Sequence, residues 1–252
     1  MTENEWLACQ DPWLMIDSLP KDFSPRKLRL FCCACCRRIW YLLDDSCRKA
    51  VELSEAYADG LASEAEVVEA CNAANESAMG IARAHAKAIQ RLEDELRTSG
   101  SSSDAAYRTF AKTAPKTYNF AAARAAAYTA ALGPAMVIDQ VSDAASGYSA
   151  IPWDDYRDNE GYDANRAAIV PVLREIVDNP FRPINIQGSF LTLEVMSLAN
   201  EIYQRQAFEQ MPELADALAA AGCSNQDILS HCRGPGPHVR GCWVVDLLLG
   251  KE

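Results

Sequence analysis

Two stretches of the chain concentrate its reactive side chains: Cys32-Cys33-Ala34-Cys35-Cys36, and a later segment from His231-Cys232 through Gly234-Pro235-Gly236-Pro237 to His238 and Cys242. The second stretch carries two of the three histidines, His231 and His238. Thiolate and imidazole are the donors that Zn²⁺ and Cu⁺ select. A structural zinc site takes four such groups, and Cys32, Cys36, His231, Cys232, His238 and Cys242 are the candidate ligands. The spacing matches no common zinc finger, because no pair of Cys-x₂-Cys knuckles falls on loops. Cys35-Cys36 is followed by Arg37 rather than histidine, so the haem-attachment signature is absent as well. A joint site therefore requires a fold that brings the two ends of the chain together.

Packing is the competing reading of the same cysteines. A free cysteine behaves as a small hydrophobe, and Cys32, Cys35 and Cys71 fall on stripes where alanine or valine would serve. Cys33 falls off its stripe, with Arg29 and Arg37 four residues away on either side. Two guanidinium groups favour the thiolate, which makes Cys33 the candidate reactive thiol. The Gly-Pro-Gly-Pro turn raises a third chemistry, since Arg233, His238 and Arg240 around free backbone N–H groups suit an anion or a nucleotide phosphate. No Walker-type Gly-Lys-Ser/Thr follows it. Gly-x-Ser-x-Gly, His-Glu-x-x-His and Gly-x-Gly-x-x-Gly are likewise missing, so no catalytic template fits.

The elements that would position these groups are helical. Ser24-Pro25 is a start signal, a cap followed by proline at the first helical position, for a helix to about Leu43. Ser63-x-x-Glu66 is a capping box that opens the longest helix. Its stripe runs Val67, Ala70, Cys71, Ala74, Ala78, Ile81, His85, Ala88, Ile89, Leu92, Leu96, and predicts a partner face along its whole length. An alanine-rich helix is expected from about Asn119. Further helices are predicted over 164–177 and 191–206, after Pro212, from Ser224-x-x-Asp227, and over Val239 to Leu249. No alternating β-pattern of any length occurs. The expected fold class is all-α, a multi-helix bundle with a smaller C-terminal helical part. Its expected divisions are an N-terminal bundle over 1–146, an acidic aromatic loop over 147–163 and a C-terminal part over 164–252.

At 252 residues, with 49% apolar and 23% charged side chains, the chain is long enough to bury a core and ordinary in composition for a globular protein. A net charge of -11 argues against nonspecific nucleic-acid binding, which draws on Lys and Arg against phosphates. Arg26, Lys27, Arg29, Arg37 and Arg38 form the best local basic patch, and a solvated helix face is its simpler reading. No apolar run reaches the ~20 residues of a membrane span, and the acidic start Met1-Thr2-Glu3-Asn4-Glu5 lacks a signal-peptide pattern. A cytoplasmic setting is expected, with cysteines kept as thiols or metal ligands.

Glu5-Trp6-Leu7, the segment Lys27 to Trp40, Asn179-Pro180-Phe181-Arg182-Pro183, Leu214-Ala215-Asp216-Ala217-Leu218 and the segment His231 to Lys251 resemble a family of planctomycete-type bacterial proteins without an assigned activity. The likeness covers both ends of the chain. It implies a bacterial, cytoplasmic setting and carries over no catalytic residue. The features together favour a noncatalytic structural or interaction protein, with a protein partner possible; the cysteines read first as packing residues, and a metal tying the Cys-rich helix to the C-terminal turn, zinc being the candidate ion, is the site that this reading can accommodate. The alternatives are a thiol- or metal-dependent enzyme or metal store using Cys33, Cys36 and His238, and anion or nucleotide binding at the Gly-Pro-Gly-Pro turn.

Overall fold

The structure, a computed structural model, describes residues 1–99, 118–129, 136–141 and 160–251. Among the described residues the chain is helical and contains no strand, which is the all-α class that the sequence periodicity predicts. Among those residues no helix is long and apolar enough to cross a membrane. Two compact units share the chain. One comprises Met1–Ala34 together with Ala167–Glu252, the other Cys35–Arg166. The division therefore differs from a split into 1–146 and 164–252, because the opening residues group with the closing ones.

The first unit opens with α1 (Glu3–Ala8), α2 (Pro12–Asp17) and the start of α3 (Pro25–Arg38). Proline stands at the first position of α3, as its start signal requires. From Leu30 to Cys36 every residue is buried, so α3 presents no solvated face there. It ends at Arg38 rather than Leu43, and a 3₁₀ turn over Trp40–Leu42 takes up the difference. The predicted basic patch is not a free surface. Arg26 and Lys27 both pair with the buried Asp246, at 2.7 and 2.6 Å, and Arg26 also donates to the Tyr203 hydroxyl.

The second unit is built from α4 (Asp45–Ala58), α5 (Glu64–Ser99) and α6 (Tyr118–Tyr128), which pack on one another. The capping box of α5 forms, with Ser63 and Glu66 exchanging hydrogen bonds. Its interface with α6 is made of small side chains, Ala70, Cys71, Ala74 and Ala78 against Ala122, Ala125 and Ala126. Burial stops short of the whole predicted stripe, and Ile89 is exposed. The His85 side chain and the acidic aromatic loop around Trp153 lie outside the described residues.

α7 (Glu160–Ala167) closes the second unit, and α8 (Val170–Val177) follows in the first, so the single helix expected over 164–177 is broken before Pro171, which sits in the first turn of α8. Then come α9 (Leu193–Arg205), α10 (Met211–Ala220), α11 (Gln226–Arg233) and α12 (Trp243–Leu249). These last four enclose a continuous core that includes Ile202, Met211, Leu214, Leu218, Val244 and Leu248. Residues 239–242, expected to be helical, instead form the turn that leads into α12. Gly241 turns at φ +94°, and a Cβ there would stand 3.0 Å from Leu30 Cδ1, which explains why the helix cannot begin sooner.

Asp246 is 1% exposed and holds two cations that are themselves largely buried. Replacing it with alanine leaves both uncompensated and is expected to lower the unfolding free energy in urea by about 3–5 kcal/mol. Arg205→Ala, which removes an exposed pair with Glu201, is expected to change it by less than about 0.5 kcal/mol. Similar losses for the two variants would contradict this assignment.

Candidate metal centre

Among the described residues one group of three or more metal-ligating side chains converges: Glu175, His231, His238 and Cys242, whose ligand atoms all lie within 4.8 Å of one another. Four elements of the first unit deliver them. Glu175 comes from α8, where Val172, Leu173 and Ile176 are buried around it. His231 sits in the last turn of α11, a helix started by Asn225, whose side chain accepts from the backbone N–H groups of Asp227 and Ile228. His238 belongs to the turn, and Cys242 caps the start of α12. Gly236, at φ +79°, makes the turn possible. A Cβ at that position would lie 2.5 Å from the backbone nitrogen of His238, so any other residue displaces the ligand.

The Glu175 carboxylate, 4% exposed, is shared between the two imidazoles. Its Oε1 lies 3.1 Å from His238 Nδ1 and its Oε2 lies 3.3 Å from His231 Nε2. His231 Nε2 is also 3.2 Å from the Cys242 sulfur. The far nitrogen of His238 donates to the Gly234 carbonyl at 3.3 Å, which directs Nδ1 at the carboxylate. The far nitrogen of His231 accepts from the Trp243 indole N–H at 3.0 Å. A tetrahedral zinc with ordinary Zn–N, Zn–O and Zn–S lengths places its donors about 3.3–3.6 Å apart. The three contacts of 3.1–3.3 Å are near or slightly below that, the full set spreads to within 4.8 Å, and it mixes hard oxygen, borderline nitrogen and soft sulfur.

Electrostatics follow from one buried carboxylate. Burial pushes the Glu175 carboxyl up, but hydrogen bonds from His231 and His238 outweigh it and hold the group below its ordinary value. Burial pulls His238 down, and the hydrogen bond and charge of Glu175 outweigh that, so His238 stands above its ordinary value. The Cys242 thiol is raised well above its ordinary value, first by burial and then by the negative charge of Glu175. Left to itself, it is a thiol and a poor nucleophile. A bound dication would reverse that balance by neutralising the carboxylate and favouring the thiolate.

The structure treats the predicted ligands unequally. It brings His231, His238 and Cys242 together and adds Glu175. Cys32, Cys36 and Cys232 contribute no atom to the group. Cys232 neighbours His231 in sequence, but successive helix positions point in different directions, and its side chain lies in the apolar core of α9–α12. Burial raises its thiol to about 12, as it does for Cys32. Cys33, expected on a basic exposed face, is 1% exposed, because α3 is buried on all sides at that point. It is not an accessible reactive thiol. The predicted anion site also fails to assemble: Arg233 pairs with Asp216, Arg240 lies over the Tyr203 ring and His238 turns to Glu175. Glu175 was not among the predicted ligands; the one signal for it is its place three residues after Val172 on the apolar stripe of α8, whose meaning depends on burial.

The fold and the site thus define an all-α protein with a buried Glu-His-His-Cys group. No protein-family model, curated protein or solved structure matches the chain.

The pair Glu175–His238 fixes a pH dependence for the protein held in chelator. The raised His238 contributes stability that is full below about pH 6.5 and is lost as pH rises through its folded value. The lowered Glu175 contributes stability present above about pH 4.5 and lost as pH falls through its folded value. The stability difference between wild type and Glu175→Gln, measured by urea unfolding, should be largest between those limits and shrink on either side. A difference independent of pH would contradict the ion pair.

Proposed function

We propose that this chain is a noncatalytic helical protein whose C-terminal segment is clasped by one structural divalent cation, zinc by the chemistry of its donors. The carrying observation is the convergence of Glu175, His231, His238 and Cys242. A carboxylate beside a thiol disfavours Cu⁺, and an imidazole pair with a sulfur disfavours Mg²⁺ and Ca²⁺, which leaves zinc as the best fit. Four protein donors leave no position for substrate, which is the pattern of a structural rather than a catalytic site. Glu175 and Cys242 as anions with two neutral imidazoles would balance the charge of the ion. The cation would join α8, α11, the turn and α12, doing for this small helical segment what a disulfide does in secreted proteins. A cysteine-rich composition fits a reducing, cytoplasmic compartment, and a bacterial source with a protein partner belongs to the same reading.

A metal-dependent enzyme is the second reading, favoured by one feature. A cavity of about 430 Å³ adjoins the site, lined by His231, Trp243, Arg174, Asp178, Asn179 and Asp227 among others. It would require one of the four donors to give way to substrate.

Elemental analysis of protein purified without chelator is expected to give about one zinc per chain. Cys242→Ser and His238→Ala are expected to reduce this to background, with Cys32→Ser and Cys36→Ser unchanged. With free zinc at about 1,000 times Kd, chelation should cost about 4 kcal/mol of unfolding free energy. Zinc retained in both Cys242→Ser and His238→Ala would overturn the site. In cobalt-substituted protein, visible bands that shift on adding azide would favour the enzyme reading over the closed one.

A further inference from the structure

Trp243 contributes no ligand, yet its indole N–H lies 3.0 Å from His231 Nδ1. An indole nitrogen donates and never accepts. His231 Nδ1 must therefore offer a lone pair, and the proton of the neutral ring sits on Nε2, facing Glu175 Oε2 and the Cys242 sulfur. A cation at the site needs the lone pair of that same Nε2. Once Nε2 ligates, the proton of a neutral imidazole belongs on Nδ1, where it would meet the indole N–H donor to donor. His238 has no such conflict, because its far nitrogen already donates to a carbonyl, as metal-bound histidines do. The two histidines of the group are thus oriented oppositely for the same task.

The surroundings allow the conflict to be relieved. His231 and Trp243 both line the adjoining cavity of about 430 Å³, and Glu175, His238 and Cys242 do not. The pair therefore borders both the cavity and the donor group. Asp178 and Asp227 line the same cavity. Asp178 also carries a left-handed backbone, φ 59° and ψ -160°, in a region that residues other than glycine rarely occupy.

We propose that Trp243 is a latch on the metal site: its hydrogen bond holds His231 in the tautomer that cannot ligate, and cation binding displaces the indole toward the cavity. This rests on the reading of Glu175, His231, His238 and Cys242 as a zinc site. The latch sets the affinity of the site below what its four donors would reach alone, and it couples metal loading to a movement at the cavity wall.

Trp243→Phe keeps an aromatic ring and removes the N–H. Zinc affinity, measured by competition with a chromophoric chelator, is expected to rise about 2- to 12-fold, the worth of one net hydrogen bond. Wild-type protein needs no substitution for the second measurement. Long-range ¹H–¹⁵N correlation of its three histidines should show the His231 proton on Nε2 in chelator and on Nδ1 with zinc. A folded Trp243→Phe variant that binds zinc no more tightly than wild type overturns the latch, as does a His231 Nδ1 that stays unprotonated with zinc bound. If wild type binds no zinc, the site itself falls and the latch with it. If His238→Ala abolishes binding but Trp243→Phe leaves it unchanged, only the latch falls.

Discussion

The carboxylate of Glu175 is the constraint around which the C-terminal segment is organised. A charge removed from water costs several kcal/mol unless partners restore what solvation supplied. Here the partners come from far along the chain, His231 from the end of α11 and His238 from the turn behind it. Each must be held at the right angle, and each has its own support, the Gly234 carbonyl for one and the Trp243 indole for the other. The turn is accordingly tight, with Gly236 in a conformation and a space that exclude a side chain. The thiol of Cys242, buried beside the same carboxylate, is driven toward its protonated form. A dication bound here would neutralise the carboxylate and favour the Cys242 thiolate.

A second buried carboxylate does comparable work between the ends of the chain. Asp246 on α12 faces Arg26 and Lys27 at the start of α3, and Lys27 also donates to the Gly241 carbonyl at 3.0 Å. Arg174, one residue before Glu175, donates to the carbonyls of Trp6, Leu7 and Cys9 and so satisfies the orphan acceptors at the end of α1. Charged side chains act alongside the burial of Trp6, Met15, Leu30 and Phe31 in tying Met1–Ala34 to the C-terminal segment. Hydrophobic surfaces accept many partners, whereas a bidentate guanidinium accepts few.

The unit formed by Cys35–Arg166 is held differently. Alanine and cysteine faces let α4, α5 and α6 approach closely, and buried hydroxyls pair across the unit, as in the 2.7 Å contact between Ser54 and Thr129. Arg37 grips Glu55 with two hydrogen bonds of 2.8 and 2.7 Å while its guanidinium stacks over Trp40. Nothing in that unit gathers ligand-forming groups as the first one does, among the described residues.

Local signals in the sequence determined the helices and several of their starts. Pro25 at the head of α3 and the Ser63–Glu66 box are read by nearest neighbours, so no tertiary knowledge was needed. Three of the four site residues were also legible, because His231, His238 and Cys242 are close in sequence and chemically unusual. Glu175 was not singled out, since an acid among many in an acidic chain acquires meaning only when its burial is known. Cys32, Cys33, Cys36 and Cys232 invited ligand or thiol roles by type alone. Their fate was decided by which way each helix turned and what it met, and the residues that met them were core. Spacing along the chain fixes which face a side chain shares; only the packed structure fixes whether that face meets water, apolar neighbours or a buried charge.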